Sequence, residues 1–354
     1  MKKYLLLLAA LITTGFCVAQ NNRWSITAPA QSMPTRIERT GTTVIPNGRL
    51  LTPLGKQITV APHPYGLALS PDGKTLVTAN SGTSPLSISI IRNIGNETPE
   101  VQQIPPGANT DKGILASVFM GLAISPDSRT VYVAGGQENK IYLFDLTTGE
   151  ARGSIDCAAK SATDDYTHGY IGDMVMTADG KTLYAVDQIG FRMLAVDLAT
   201  QKLKFSVKVG RYPFGIALAP DEKTVYVANV GMYEYKTLES LDPAKLAETA
   251  MAFPASGFNT KESIEGIQTD SLRVPGLGDP NAPESFSVWI VDLSTTTSPT
   301  VTAKIKTGIL VGDKLDDVPA VGGASPNSMV ATKDHLFVSN GNNDCVSVID
   351  VKGV

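Results

Sequence analysis

The stretch PYGLALSPDGKTLVTAN, Pro64 to Asn80, constrains this chain most, because it encodes a β-hairpin and then recurs. In LALSPDGKTLVTA, apolar residues alternate with small or polar ones, the period of a strand with one packed face. Ser70-Pro71-Asp72-Gly73 supplies the turn: Pro71 presets φ, and Gly73 takes the left-handed conformation that closes such hairpins. The pattern returns as MGLAISPDSRTVYVAGG from Met120, DMVMTADGKTLYAVD from Asp173, PFGIALAPDEKTVYVAN from Pro213 and, shortened, PNSMVATKDHLFVSN from Pro326.

One hairpin cannot bury its own apolar face, so repeated hairpins must stack on one another. The turn aspartates Asp72, Asp127, Asp179 and Asp221 lie 55, 52 and 42 positions apart, the period of a propeller blade rather than of a solenoid. Three copies continue into a second strand pair whose first strand ends in Asp145, Asp197 or Asp292, residues suited to making the following turn. The expected fold is therefore all-β, a propeller of four-stranded blades with five repeats visible over residues 39–354. A short strand ahead of the first repeat, around Pro46-Asn47-Gly48, is expected to clasp the ring by completing the last blade.

The first 19 residues, MKKYLLLLAALITTGFCVA, combine two lysines, an apolar run from Tyr4 to Ile12 and small residues Val18 and Ala19. They read as a bacterial secretory signal peptide, which predicts a periplasmic or extracellular protein with no membrane association after cleavage. The bulky Phe16 before Cys17 disfavours acylation of that cysteine. Residues 20–38 are polar and aperiodic, and read as a flexible leader. A formal net charge of −4 with 18% charged residues gives no basic field for nucleic acid. Cys157 and Cys345 fall on non-adjacent blades, which predicts two free thiols.

Residues 232–285 interrupt the fourth copy between its second and third strands, and include DPAKLAETA, with Asp242 as helix N-cap and Pro243 at the first helical position. Loops of that length are usually functional or disordered, and this one is expected over or beside the channel mouth, either as part of a site or as a structural flap that shields blade edges. Superposing the repeats brings His63, Tyr170 and Tyr212 to one place, Tyr65, Phe214 and Asn327 to a second, and Asn80, Asn229 and Asn340 to a third, all toward the mouth. Aromatic and amide groups converging on a concave mouth suit a small molecule, a peptide or a partner protein. The alternative is that the aromatics pack between blades and the asparagines cap their own turns. The three histidines, His63, His168 and His335, lie in different repeats, so no catalytic residues, metal site or cofactor are assigned. The pairs Asp164-Asp165 and Asp316-Asp317 lie in polar loops, where solvation is the default.

The SPDGKTLVTAN and VSVIDV pieces resemble the YVTN-type repeats of the YncE family. TVIPNGRLLTPLGKQITVAPHPYGLALSPDG together with VPGLGDPNAPESFSVWIVD is similar to the amino-terminal propeller of bacterial proteins that join such a propeller to an alkaline-phosphatase-superfamily phosphoesterase. The resemblance implies seven blades against the five seen here, so that the chain is either truncated or a five-bladed ring closed by the N-terminal clasp, and it implies a binding or scaffolding role beside a phosphoesterase. A lactonase-type propeller hydrolase with metal at the mouth and a nonfunctional gene fragment are the alternatives.

Overall fold

A computed structural model describes residues 27–38, 41–81, 85–106, 115–235, 242–245, 259–269, 273–295, 299–319 and 322–352. The expected signal peptide lies outside these residues. The described residues fall into two compact units, divided between Thr59 and Val60. In the first, Thr43–Val44 pairs with Leu50–Leu51 as a sheet of its own, and Arg36 bridges to Val44. The described part of the expected flexible leader is thus tied to this hairpin, and Ala30 within it is buried. No helix among the described residues is long and apolar enough to cross a membrane.

The second unit is built on five successive antiparallel blades, with two small two-stranded hairpins, Gly266–Gln268 with Arg273–Pro275 and Lys314–Leu315 with Val318–Pro319, in its loops. Blade 1 comprises Pro64–Leu69, Thr75–Asn80, Ser87–Arg92 and Glu100–Ile104; blade 2, Leu122–Ile124, Thr130–Ala134, Lys140–Asp145 and Ala151–Asp156. Blade 3 comprises Ile171–Met176, Thr182–Asp187, Arg192–Asp197 and Lys202–Lys208; blade 4, Pro213–Leu218, Thr224–Asn229, Ser287–Asp292 and Thr300–Lys306. Blade 5 has three strands, Pro326–Ala331, His335–Asn340 and Cys345–Asp350, and no fourth among the described residues. The two N-terminal strands expected to complete the last blade pair with each other instead.

The repeated sequence makes the same local bonds in blades 1 to 3, and blade 4, with Ala219 in place of the Ser or Thr, keeps only the bond from the Lys223 N–H to Asp221. Ser70 Oγ donates to Asp72 Oδ1 at 2.6 Å, and Asp72 Oδ1 accepts the Lys74 N–H at 3.0 Å. Ser125 and Asp127 repeat this, as do Thr177 and Asp179. The third-strand aspartates act as turn-makers: Asp145, Asp197 and Asp292 each accept a backbone N–H two or three residues on. These bonds hold the Asp145 carboxyl down at about 2, the Thr148 N–H contributing most and Arg152 next.

The second and third strands of blades 2 to 4 are buried on both faces because these blades are sandwiched between neighbours, whereas the outer strands of blades 3 and 4 alternate buried and exposed. Four apolar cores fill the four spaces between successive blades. The inner strands approach so closely that a Cβ on Gly66 would collide with the Met120 carbonyl of the next blade, and one on Gly121 with the Gly172 carbonyl. In blade 3 the equivalent residue is Asp173, whose Oδ2 accepts the Ile216 N–H of blade 4 at 3.2 Å.

The outward face of blade 5 has no such neighbour among the described residues. Val346 and Val348 are 60% and 58% exposed, whereas Val288 and Ile290, which hold the same places in blade 4, are 0% and 1% exposed. Cys157 and Cys345 are free thiols, the first buried in blade 2 and the second exposed in blade 5.

Candidate functional site

The connector before each inner strand and the turn before each third strand lie at the same end of every blade. Both places use left-handed backbone. His63, Tyr212 and Ser325 precede inner strands at φ of 57°, 48° and 53°; Asn139, Phe191, Phe286 and Asp344 precede third strands at φ of 52°, 50°, 40° and 48°. Asparagine and aspartate tolerate this region, but a Tyr or Phe does so at a cost, typically about 1–3 kcal/mol, that the surrounding fold must offset.

Four of the sequence-predicted residues come together. His63 stacks on Tyr65 with ring centroids 5.9 Å apart, and Tyr65 meets Phe119 at 5.7 Å. Phe119 also meets Tyr170 at 5.2 Å and Phe214 at 5.8 Å, both edge to face. Five rings from blades 1 to 4 and their connectors thus form one cluster with Phe119 at its centre. Tyr65 is half exposed, and Phe119, Tyr170 and Phe214 are partly so. Sequence reasoning missed Phe119 because it fills the column held by Pro64, Pro213 and Pro326 elsewhere, next to the columns that carry aromatics. Beside the cluster, the amide Nε2 of Gln188 is buried without a partner in the protein and packs over Gly172, the small residue in the Tyr65 and Phe214 column.

The asparagines sit elsewhere. Asn80, Asn229 and Asn340 are buried and bond within their own blades: Asn80 Nδ2 donates to Ser87 Oγ at 3.2 Å, Asn229 Nδ2 to Ser287 O at 3.1 Å, and Asn340 Nδ2 to Ser347 Oγ at 2.9 Å. Asn327 accepts from Ser339 Oγ at 2.7 Å, also within its blade.

Blade 3 replaces the asparagine with Asp187 and the following serine with Arg192. This ion pair, 2.9 Å long, is wholly buried. Asp187 Oδ1 also accepts the Tyr170 and Gly190 N–H groups, while Arg192 donates to Cys157 O and Ser206 Oγ and lies 4.0 Å from the Tyr166 ring centroid. Burial of the Asp173 side chain pushes its carboxyl up to about 6, against the bonds from Met174 and Ile216.

Tyr212 turns away from the aromatic cluster into a separate cleft of about 1030 Å³ over blade 3. Its walls come from Lys160 and residues 163–168 of the connector, the blade 3 turn at Ile189–Phe191, Lys208, and Glu234 and Tyr235 at the start of the long insertion. Phe191 and Tyr212 meet edge to face at 4.9 Å. The Asp164-Asp165 pair belongs here. Asp165 is bonded to Lys160 at 2.7 Å and Asp164 to Lys208 at 2.5 Å, and these bonds hold both carboxyls below the usual range. His168 lines the same cleft, His63 the aromatic cluster, and His335 blade 5. No group of three or more His, Cys, Asp or Glu side chains among the described residues is placed to hold a metal.

The described parts of the insertion are one 3-10 turn at Pro243–Lys245, where the longer helix was expected, a five-residue helix at Lys261–Glu265, and a small hairpin of Gly266–Gln268 with Arg273–Pro275. The rest of the expected helix lies outside the described residues. The Gly276 to Pro280 stretch leads into a lock: Asn281 Nδ2 donates to Val311 O, and Val311 N donates back to Asn281 Oδ1, each at 2.9 Å.

A family model described as a YNCE-like beta-propeller matches residues 40–245, more than half of the chain. No curated protein matches it. Among solved structures, a functionally unknown protein from Desulfotomaculum acetoxidans DSM 771 aligns at 11% identity and a TM-score of 0.47, over 89% of this chain and 74% of its own. A Lactobacillus plantarum protein aligns at 14% identity and 0.44, over 87% and 67%. The periplasmic gluconolactonase of Pseudomonas aeruginosa aligns at 15% identity and 0.45, over 75% and 63%.

Proposed function

We propose, on the premise that this chain belongs to the YncE-like β-propeller family, that it is a recognition module whose ligand sits on the aromatic cluster around Phe119. The observation that carries the reading is the convergence of His63, Tyr65, Phe119, Tyr170 and Phe214, contributed by four blades and their connectors, on one partly exposed patch. Rings whose sole task was to fill a core would be sealed between two sheets, as Phe144 is. The ligand matching this surface offers a flat apolar or aromatic group for the rings. The signal-peptide reading puts the encounter in the periplasm or outside the cell.

Hydrolysis is not part of the proposal. A lactonase-type site would need several metal ligands at the mouth, and the cluster offers rings. Association with a phosphoesterase is supported by the sequence resemblance alone, and the bonds of Asn281 to Val311 give the Gly276 to Pro280 stretch a structural task in its own right. The test is equilibrium binding of a panel of aromatic fragments and Phe- and Trp-containing dipeptides to the folded chain and to Phe119→Ala. Saturable binding that weakens about tenfold or more in the variant supports the reading, whereas equal binding by both removes it.

A further inference from the structure

We propose that the cleft over blade 3 is a second binding site, independent of the aromatic cluster, and that it takes a neutral oligosaccharide. At about 1030 Å³ it lies at the upper end of the roughly 300–1,000 Å³ spanned by small-molecule sites, so it has room for more than one sugar ring.

Charge narrows the ligand first. Both basic side chains on the rim are paired, Lys208 with Asp164 and Lys160 with Asp165, which leaves one further carboxylate, the exposed Glu234 at the edge of the insertion. An anion would have to displace the paired carboxylates and would meet Glu234 as well, while a cation would gain only that exposed carboxylate unless it displaced the ammonium groups, so a neutral ligand fits best. Each pair nevertheless keeps open hydrogen-bonding capacity, since a carboxylate has about four acceptor positions and an ammonium three donors. Donors and acceptors fixed side by side complement hydroxyl groups, which are both at once.

The apolar half of the cleft supplies the second constraint. Tyr166 is braced by the buried Arg192 guanidinium, 4.0 Å from its ring centroid, and Arg192 is itself fixed by Asp187 and Cys157. Phe191 and Tyr212 lock each other edge to face, and both are held on left-handed backbone. Tyr235, 61% exposed, adds a ring from the insertion. Immobile rings bind with little loss of side-chain entropy, and they match a ligand that presents flat C–H faces. Hydroxyls at the edge with C–H groups on the face is the pattern of a pyranose.

The experiment is calorimetric titration of the whole mature chain with maltohexaose, cellohexaose and chitohexaose, at low and high salt. At least one should bind, with an affinity that changes less than about twofold with salt, because no net charge is neutralised. Tyr235→Ala should weaken it about tenfold or more, and Phe119→Ala, in the other site, should leave it unchanged. Tyr235 is too exposed for its loss to unfold the protein, so it decides the matter even if Tyr212→Ala fails to fold. Absence of binding by all three sugars at roughly 10 mM overturns the proposal, that being weaker than about 3 kcal/mol of affinity. So does binding that survives Tyr235→Ala or that falls steeply with salt.

Discussion

Exchanging Asp187 for Asn would convert one half of the blade 3 ion pair into the residue that blades 1, 4 and 5 use at the same place. Both members of the pair are fully buried, and the salt bridge is 2.9 Å long. In the Asp187→Asn protein, Arg192 keeps its bonds to Cys157 O and Ser206 Oγ but loses its counter-charge. Stranding one charge of a buried pair costs about 3–5 kcal/mol. At about 2–4 °C per kcal/mol, typical of domains of roughly 150–250 residues, that lowers the melting temperature by roughly 6–20 °C. Arg192→Ser alone should cost a similar amount, because it leaves Asp187 with backbone donors only. The double variant recreates the Asn80 and Ser87 arrangement of blade 1, in which Asn Nδ2 donates to Ser Oγ at 3.2 Å. Its loss should fall short of the sum of the singles by about 2 kcal/mol or more, within the range expected for directly coupled residues. It should not reach zero, since the brace under Tyr166 is gone. Chemical denaturation of the four proteins provides the cycle. Additivity within about 0.5 kcal/mol, or an Asp187→Asn cost below about 1 kcal/mol, would refute the reasoning.

Stability should fall as pH rises from about 4 to about 6 through Asp173: its folded pKa of about 6 exceeds the usual 3.8, so its contribution is full below 3.8 and lost as pH passes 6. The loss is at most about 3 kcal/mol, since the side chain keeps some solvent access, and Asp173→Asn should flatten this part of a melting-temperature profile. Gly121→Ala forces a methyl onto the Gly172 carbonyl and should cost about 1–3 kcal/mol or more by denaturation, whereas Gly95→Ala, with open space around it, should cost under about 1 kcal/mol. The exposed face of blade 5 should drive reversible self-association at micromolar concentration; sedimentation should show it reduced by Val346→Thr with Val348→Thr, and a monomer at all concentrations would contradict this.

The parts of the fold legible in the sequence are those decided within a few residues. The Ser70 to Gly73 turn, its repeats, and the aspartates 145, 197 and 292 act through bonds to neighbours two to five positions away, so spacing alone reveals them. Contacts between repeats are another matter. The columns containing Asn80, Asn229 and Asn340 could be aligned by eye, but the direction of those side chains depends on the serine or backbone carbonyl facing each one across the sheet. Phe119 was hidden by standing where other blades have proline, and its partners are 51 residues away at Tyr170 and 95 at Phe214. The cleft is built from connectors, which have no period to read. Asp187 and Arg192 each break the repeat, and a paired departure at adjoining strand ends is the one sequence signal that could have exposed them.

Recognition at the aromatic cluster is tested most directly by labelling the chain with fluorophenylalanine and recording its fluorine spectrum during titration with the aromatic fragments and dipeptides. The account predicts that the resonances of Phe119 and Phe214 move together and saturate, while Phe144 in the core and Phe337 on the open face of blade 5 stay fixed. Movement of Phe337 alone, or of no resonance with any probe, would contradict it.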